Sequence, residues 1–118
     1  MANQEQARNP DAKAAAPQTA LEFFESGWTH YGEKAYDRAA ADFQKTIDLS
    51  PNDTDAYYGL GMAYQAGGQA QEAIAAFQKV IALLEDPAVE DTNRARMLSR
   101  FAQGHINRIT TGDWHMGQ

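Results

Sequence analysis

The sequence repeats itself with a period of 34 residues. Shifting residues 20–53 by 34 positions lays them on residues 54–87, and eight positions are then identical. A period of this length is typical of stacked helical units, each of which covers the hydrophobic face of its neighbour. The identical pairs are Gly27/Gly61, Ala39/Ala73, Ala41/Ala75, Phe43/Phe77, Gln44/Gln78, Lys45/Lys79, Ile47/Ile81 and Leu49/Leu83.

Glycine and proline divide each unit into two helices. Gly32 and the pair Gly67-Gly68 are expected to end the first helix of each unit, because glycine enters the left-handed conformation freely. Pro51 cannot continue the helix before it, and Asp53 with its neighbours offers capping oxygens to the next helix. The sequence therefore predicts two helical hairpins, with helices over residues 20–31, 35–49, 54–66 and 70–84.

The pattern of small and large side chains also predicts how the helices pack. Small residues let two helices approach closely, so we expect Gly27 to face Ala39 and Gly61 to face Ala73. The larger repeated side chains should then fill the core between hairpins. This predicted core consists of Phe43, Phe77, Ile47, Ile81, Leu49 and Leu83.

Residues 88–110 do not repeat the motif but are predicted to form one long helix. Asp86-Pro87 would supply its N-cap and first turn. An apolar stripe at spacings of three and four should cover the last hairpin as a cap. Residues 1–19 have no apolar period and are expected to be a flexible leader, and residues 111–118 form a short tail. The stripe consists of Met97, Leu98, Phe101, Ala102, His105, Ile106 and Ile109.

The repeated residues resemble the tetratricopeptide repeat family. The second unit reads Tyr57-Tyr58-Gly59-Leu60-Gly61-Met62-Ala63-Tyr64, followed by Ala73 and Phe77, and the first carries Phe23, Gly27, Tyr36, Ala39, Phe43 and Pro51. The first unit departs at Ser26, where leucine is usual, and at His30, where tyrosine is usual; in the second, Pro87 falls two residues late. The resemblance implies an all-α domain over residues 20–110, with two antiparallel hairpins in a right-handed superhelical stack and a C-terminal capping helix.

The resemblance also implies a binding groove, because the first helix of each hairpin in this family lines a concave face. Aromatic and methionine side chains there would anchor a partner, since they bury much area with few rotatable bonds. The alternative is that Trp28 and Tyr58 pack against each other or against the leader. The positions expected to bind a protein or peptide partner are Phe24, Trp28, Tyr31, Tyr58, Met62, Gln65, Arg96 and Arg100.

One subgroup of the family clamps a partner's C-terminal carboxylate with lysine and asparagine side chains. The matching positions hold no lysine in this sequence, so that activity is not expected. They are Phe24, Trp28, Gly59, Val89 and Asn93.

Composition narrows the partner and the compartment. The net charge of −6 and the pI of about 4.9 disfavour nucleic acid, whose phosphates an acidic surface repels. No apolar run is long enough to span a bilayer and no signal-peptide core is present, so a cytoplasmic protein without membrane insertion is expected. Charge is uneven, because residues 20–87 sum to −7 and residues 88–118 to +1. The capping-helix arginines could pair with the hairpins or meet an acidic partner.

Nothing in the sequence predicts catalysis, a metal site or a cofactor. The chain has no cysteine. His30, His105 and His115 do not share a metal-ligand spacing, and the many carboxylates are typical of solvated helix faces. Gly67-Gly68 lacks the lysine and hydroxyl of a phosphate-binding loop.

Three functions remain at this stage. The first is an adaptor that holds a peptide or helix of another protein in the groove. The second is a structural subunit of a homo-oligomer or larger assembly that stacks through its hairpins or tail. A small enzyme or metal carrier ranks last. The identity of the partner and the biological process do not follow from the sequence.

Overall fold

The computed structural model describes residues 16–112, and this part of the chain forms five α-helices and no strand. Each helix packs against the next along the chain, so two antiparallel hairpins stack and the fifth helix lies on the second hairpin. The predicted all-α fold is therefore confirmed. The helices are α1 (Ala20–Gly32), α2 (Tyr36–Leu49), α3 (Thr54–Ala66), α4 (Ala70–Leu84) and α5 (Thr92–Thr111).

Side-chain caps fix three of the helix starts. Thr19 accepts the amide of Glu22, and the Glu22 carboxylate accepts the amide of Thr19 in return, so α1 begins with a reciprocal capping box. Asp53 caps α3 by accepting the amide of Ala56. Most of the predicted leader (residues 1–15) and of the tail (residues 113–118) lies outside the described residues.

The fifth helix starts later than the sequence predicts. Its N-cap is Asp91, whose carboxylate accepts the amide of Arg94 at 3.0 Å. Asp86 instead accepts the amides of Ala88 and Val89, through its side chain and its backbone carbonyl respectively, and so holds a turn around Pro87. A proline fits a turn as well as a first helical turn, which is why the sequence prediction of Asp86-Pro87 as the helix start was wrong.

The turn between the two helices of each hairpin contains one residue in the left-handed conformation. In the first hairpin this residue is not Gly32, as the sequence predicted, but Lys34. Gly32 is the last residue of α1, and Lys34 adopts φ 64°. The corresponding residue in the second hairpin is Gly68, with φ 83°. Both hairpins therefore make the same turn, but only the second has glycine where the backbone requires it.

Two phenylalanines form the centres of the core, as predicted. Phe43 and Phe77 are both fully buried. The ring of Phe43 lies where a Cβ on Gly27 or Gly59 would stand, at 2.8 and 2.6 Å, and the ring of Phe77 meets Gly61 at 2.7 Å. The glycines thus make room for an aromatic ring, whereas the sequence predicted close contact with an alanine.

The predicted core is wrong at Leu49, and Leu83 is only half-buried and belongs to neither core cluster, where Leu84 packs instead. Leu49 is 55% exposed. It is the last residue of α2, and the inward position there belongs to fully buried Thr46, whose hydroxyl bonds the carbonyl of Asp42 one turn back. None of the helices within residues 16–112 combines the length and the apolar character needed to cross a membrane.

Candidate functional site

Three aromatic side chains form a ridge along α1. Phe24 and Trp28 meet edge to face at 6.3 Å between ring centroids, and Trp28 meets Tyr31 at 5.4 Å. Trp28 also packs on buried Phe43 at 5.0 Å. All three ridge side chains stay half-buried, so each combines an anchored inner edge with a solvent-facing one. We call Phe24, Trp28 and Tyr31 the aromatic ridge.

The corresponding face of α3 holds Tyr58, Met62 and Gln65, all half-buried. Tyr58 packs on Phe77 at 5.6 Å, and Met62 packs against the same core cluster. Burial raises the pKa of Tyr58, nearby Arg108 opposes that shift, and nearby Tyr31 adds to it. Helices α1 and α3 contact each other directly, so the aromatic ridge and this face of α3 lie side by side.

His105 joins α3 to α5 and is neutral in its present setting. An Arg108 guanidinium N–H donates to Nδ1 of His105 at 3.2 Å, so Nδ1 accepts and the ring proton sits on Nε2. Nε2 then donates to the Tyr58 hydroxyl at 3.1 Å. The imidazole stacks on Phe77 with centroids 4.8 Å apart. Burial, and secondarily the charge of Arg108, lower the pKa of His105.

A pocket of about 440 Å³ lies between α3 and α5 beside this histidine. A volume of this size suits one or two side chains of a bound peptide. Phe101, which lines this pocket, is 49% exposed to solvent. We call this site the Tyr58 pocket; its lining is Tyr58, Arg100, Phe101, Gly104, His105 and Arg108.

The structure separates the two arginines that the sequence assigned to the groove. Arg100 lines the Tyr58 pocket. Arg96 precedes Arg100 by four residues, about 40° around the helix, and lines a different depression, between Leu84 at the end of α4 and Val89 in the following turn. Arg96 is therefore not brought together with the other predicted site residues.

Sequence reasoning missed two side chains on this face. Phe101 was assigned to the packed stripe of the cap, and Leu21 was not singled out. Leu21 is 63% exposed and precedes Phe24 and Trp28 by three and seven residues, so it shares their face of α1. The width of the apolar stripe could have identified Phe101. Met97 and Phe101 form a second row beside Leu98 and Ala102, and contact with one neighbouring helix covers only about 100° of a helix surface, so one of the two rows had to remain exposed.

A polar cluster occupies the other side of α1. Asp42 accepts hydrogen bonds from Ser26 and from Nδ1 of His30, both at 2.7 Å. In the second unit the same three positions hold Leu60, Tyr64 and Ala76, which belong to or pack against the core between hairpins. The first unit has no hairpin in front of it within the described residues, so its outer face is polar where the second unit is apolar.

This cluster does not have the geometry of a nucleophile and its base. Ser26 donates to Asp42 and not to His30, so the imidazole is not placed to remove the serine proton. Within residues 16–112, no group of three or more histidine, aspartate or glutamate side chains converges as a metal site would require. Ser26 and His30 therefore depart from the repeat pattern because they lie on the outer face of the first hairpin, which no other hairpin covers within the described residues.

An ion pair ties the cap to the second hairpin. Arg94 on α5 meets the carboxylate of Asp55 on α3 at 2.6 Å. Both side chains are about half exposed, so the pair contributes roughly 0–1 kcal/mol. The sequence left open whether the arginines of the capping helix pair with the hairpins or meet an acidic partner. Arg94 pairs with a hairpin.

Comparison with known proteins agrees with this architecture. A family model described as "Tetratricopeptide repeat" matches residues 30–92. The chain is also 31% identical over 84 residues to the small glutamine-rich tetratricopeptide repeat-containing protein 2 of Saccharomyces cerevisiae. The similarity covers 71% of this chain but 24% of the yeast protein, so the chain spans about a quarter of that relative. The matches support a general role in protein–protein interaction and point to a non-catalytic module.

Proposed function

We propose that this chain, which belongs to the tetratricopeptide repeat family, holds a peptide or a helix of a partner protein against the face shared by α1, α3 and α5. We call this surface the groove face. It consists of Leu21, Phe24, Trp28, Tyr31, Tyr58, Met62, Gln65, Met97, Arg100 and Phe101.

The proposal rests on the location of the large apolar side chains that are exposed to solvent. Four such side chains are exposed in the described part of the chain. Phe101 lines the Tyr58 pocket, Met97 lies one turn before it on α5, and Leu21 continues the aromatic ridge. Only Leu49 lies elsewhere, at the end of α2. Exposed apolar surface gathered on one face is typical of an interaction site.

One polar atom on the groove face also lacks a partner. The side-chain amide nitrogen of Gln65 is buried and has no hydrogen-bond acceptor among the described residues. A buried donor of this kind costs free energy until an acceptor reaches it. A backbone carbonyl of a bound peptide would be a suitable acceptor once the Gln65 side chain turns outward, because the nitrogen is buried in the free protein.

The experiment is affinity capture from an extract of the cells that express the protein. Wild type is compared with Phe101→Ser, and Leu49→Ser serves as the matched control because Leu49 is similarly exposed but lies off the groove face. We expect one specific protein to be captured by wild type and Leu49→Ser and lost with Phe101→Ser. Capture that survives Phe101→Ser and fails with Leu49→Ser would contradict the proposal. Phe101 is preferred to Trp28 because Trp28 supports the core.

The second candidate function, a subunit of a homo-oligomer, remains a prediction with a different readout. The polar cluster of Ser26, His30 and Asp42 disfavours stacking through the α1 end, because a stacked hairpin would have to cover these polar groups. Self-association would then use the groove face or the tail, and residues 113–118 of that tail lie outside the described residues. Sedimentation at several concentrations tests it: a mass that rises with concentration and falls with Phe101→Ser favours the oligomer over the adaptor. The cytoplasmic location and the absence of nucleic-acid binding also remain predictions.

A further inference from the structure

Helix α5 differs in charge from the rest of the molecule. Its 20 residues contain four arginines and no aspartate or glutamate. Residues 20–87, which form the two hairpins, sum to −7. A purely basic helix laid on an acidic body can serve either internal pairing or an acidic partner, and the structure gives each arginine a separate position.

Two of the four arginines bond within the molecule, and a third, Arg96, has no ion pair among the described residues but lines a depression other than the Tyr58 pocket. Arg94 pairs with Asp55 at 2.6 Å. Arg108 donates to His105 at 3.2 Å. Arg96 lies away from the groove face, in the depression beside Leu84.

Arg100 is the arginine that remains. It is exposed, it lines the Tyr58 pocket, and the described residues provide no carboxylate within ion-pair distance of it. One turn before Phe101 on the same face stands Met97, and both are 49% exposed. A positive charge thus stands directly beside an open apolar pocket.

We infer that the Tyr58 pocket receives a large apolar side chain of a linear partner segment while Arg100 binds an aspartate or glutamate side chain within two residues of it. The inference rests on the proposed function and specifies the partner's chemistry. The apolar side chain would cover Phe101, and the guanidinium would form a charge-assisted hydrogen bond with the carboxylate. A partner with a basic residue at that place is disfavoured, since Arg100 and Arg108 would repel it.

The site differs from a clamp for a chain terminus because the ligand is a side-chain carboxylate. A library of random linear peptides, displayed through their C-terminal ends so that no free terminal carboxylate is present, is therefore the suitable probe. Peptides selected on the wild-type protein are sequenced, synthesised with an amidated C-terminus, and titrated against purified variants by fluorescence anisotropy. Circular dichroism confirms that each variant is folded.

The variants separate charge from apolar contact. Arg100→Gln removes the charge, Phe101→Ser removes the apolar wall, and Arg96→Gln is the control, because it changes the same residue type on the same helix outside the pocket. We expect selected peptides to be enriched in aspartate or glutamate beside a large apolar residue. Arg100→Gln should weaken their binding roughly tenfold, and Arg96→Gln by less than about twofold.

Each contrary result has a distinct meaning. Peptides that are lost with Phe101→Ser but lack acidic residues, or that bind Arg100→Gln as tightly as wild type, overturn this inference and leave the proposed function standing. A selection that yields no binder, or binders that tolerate Phe101→Ser, overturns both.

Discussion

Replacing Gly59 by alanine tests the packing that holds the two hairpins together. A Cβ at this position would stand 2.6 Å from Cε1 and 2.7 Å from Cζ of Phe43. Carbon atoms in good contact are about 3.5–4.0 Å apart, so the overlap is about 1 Å. The ring cannot retreat easily, because it is fully buried and is held by Phe24 at 5.8 Å and Trp28 at 5.0 Å.

The expected change in stability follows from two opposing effects. Overpacking of a rigid core costs about 1–3 kcal/mol, and the better helix propensity of alanine returns up to about 1 kcal/mol. Because the obstructing atoms belong to a clamped ring, we expect the upper part of the first range and a net loss of about 1–2 kcal/mol. Gly104 of α5 is the control: its nearest obstacle is the mobile end of Arg108 at 3.6 Å, so Gly104→Ala should gain about 0.5–1 kcal/mol.

Urea unfolding followed by circular dichroism measures both variants. A coupling experiment adds Phe43→Leu, which removes the ring: Gly59→Ala should cost clearly less in that background than in wild type. The reasoning is refuted if Gly59→Ala is as stable as Gly104→Ala, or if its cost is unchanged when Phe43 is leucine.

Three further predictions concern the cap and the turns. The lowered pKa of His105 means that its neutral form is favoured in the folded state, so stability should be full above its ordinary pKa of 6.5 and fall as the pH drops below it; urea unfolding across this range should show a slope that His105→Gln flattens. Lys34→Gly should stabilise the protein by about 0.5–1 kcal/mol in thermal or urea unfolding, because it relieves a left-handed backbone at φ 64°; an unchanged midpoint would contradict the strain argument. Asp91→Ala should cost about 1 kcal/mol through loss of the α5 cap, and Asp86→Ala distinctly less; the reverse order would place the helix start where the sequence alone suggested.

The 34-residue repeat, together with the glycine and proline residues between its helices, sufficed to predict the four hairpin helices to within a residue at each end. Residues that are identical at a fixed period indicate the same packing role in both units. Phe43 and Phe77 have this role, since each is the fully buried ring at the centre of its unit's core. What each glycine packs against did not follow, because spacing alone does not distinguish a facing alanine from a facing aromatic ring. The structure shows that Gly27 and Gly61 accommodate phenylalanine.

The candidate site was less predictable at its C-terminal side. The repeat assigned Trp28 and Tyr58 to corresponding faces of α1 and α3, and in the structure both are half-buried and pack on the phenylalanine of their own unit. Residues beyond 87 have no copy to align with, and the 34-residue register extended there did not reveal that Arg96 lines the depression beside Leu84 while Arg100 lines the Tyr58 pocket. Phe101 was lost for a related reason, because a wide apolar stripe does not reveal which edge is covered.

Site-specific photocrosslinking in cells tests most directly whether the partner lies on the groove face. Benzoylphenylalanine is placed at position 101 or at position 49, two sites that start from similarly exposed apolar side chains on different faces. If the partner lies on the groove face, position 101 gives a discrete higher-mass adduct with a second protein and position 49 gives none. An adduct from position 49 alone, or equal adducts from both, would contradict it.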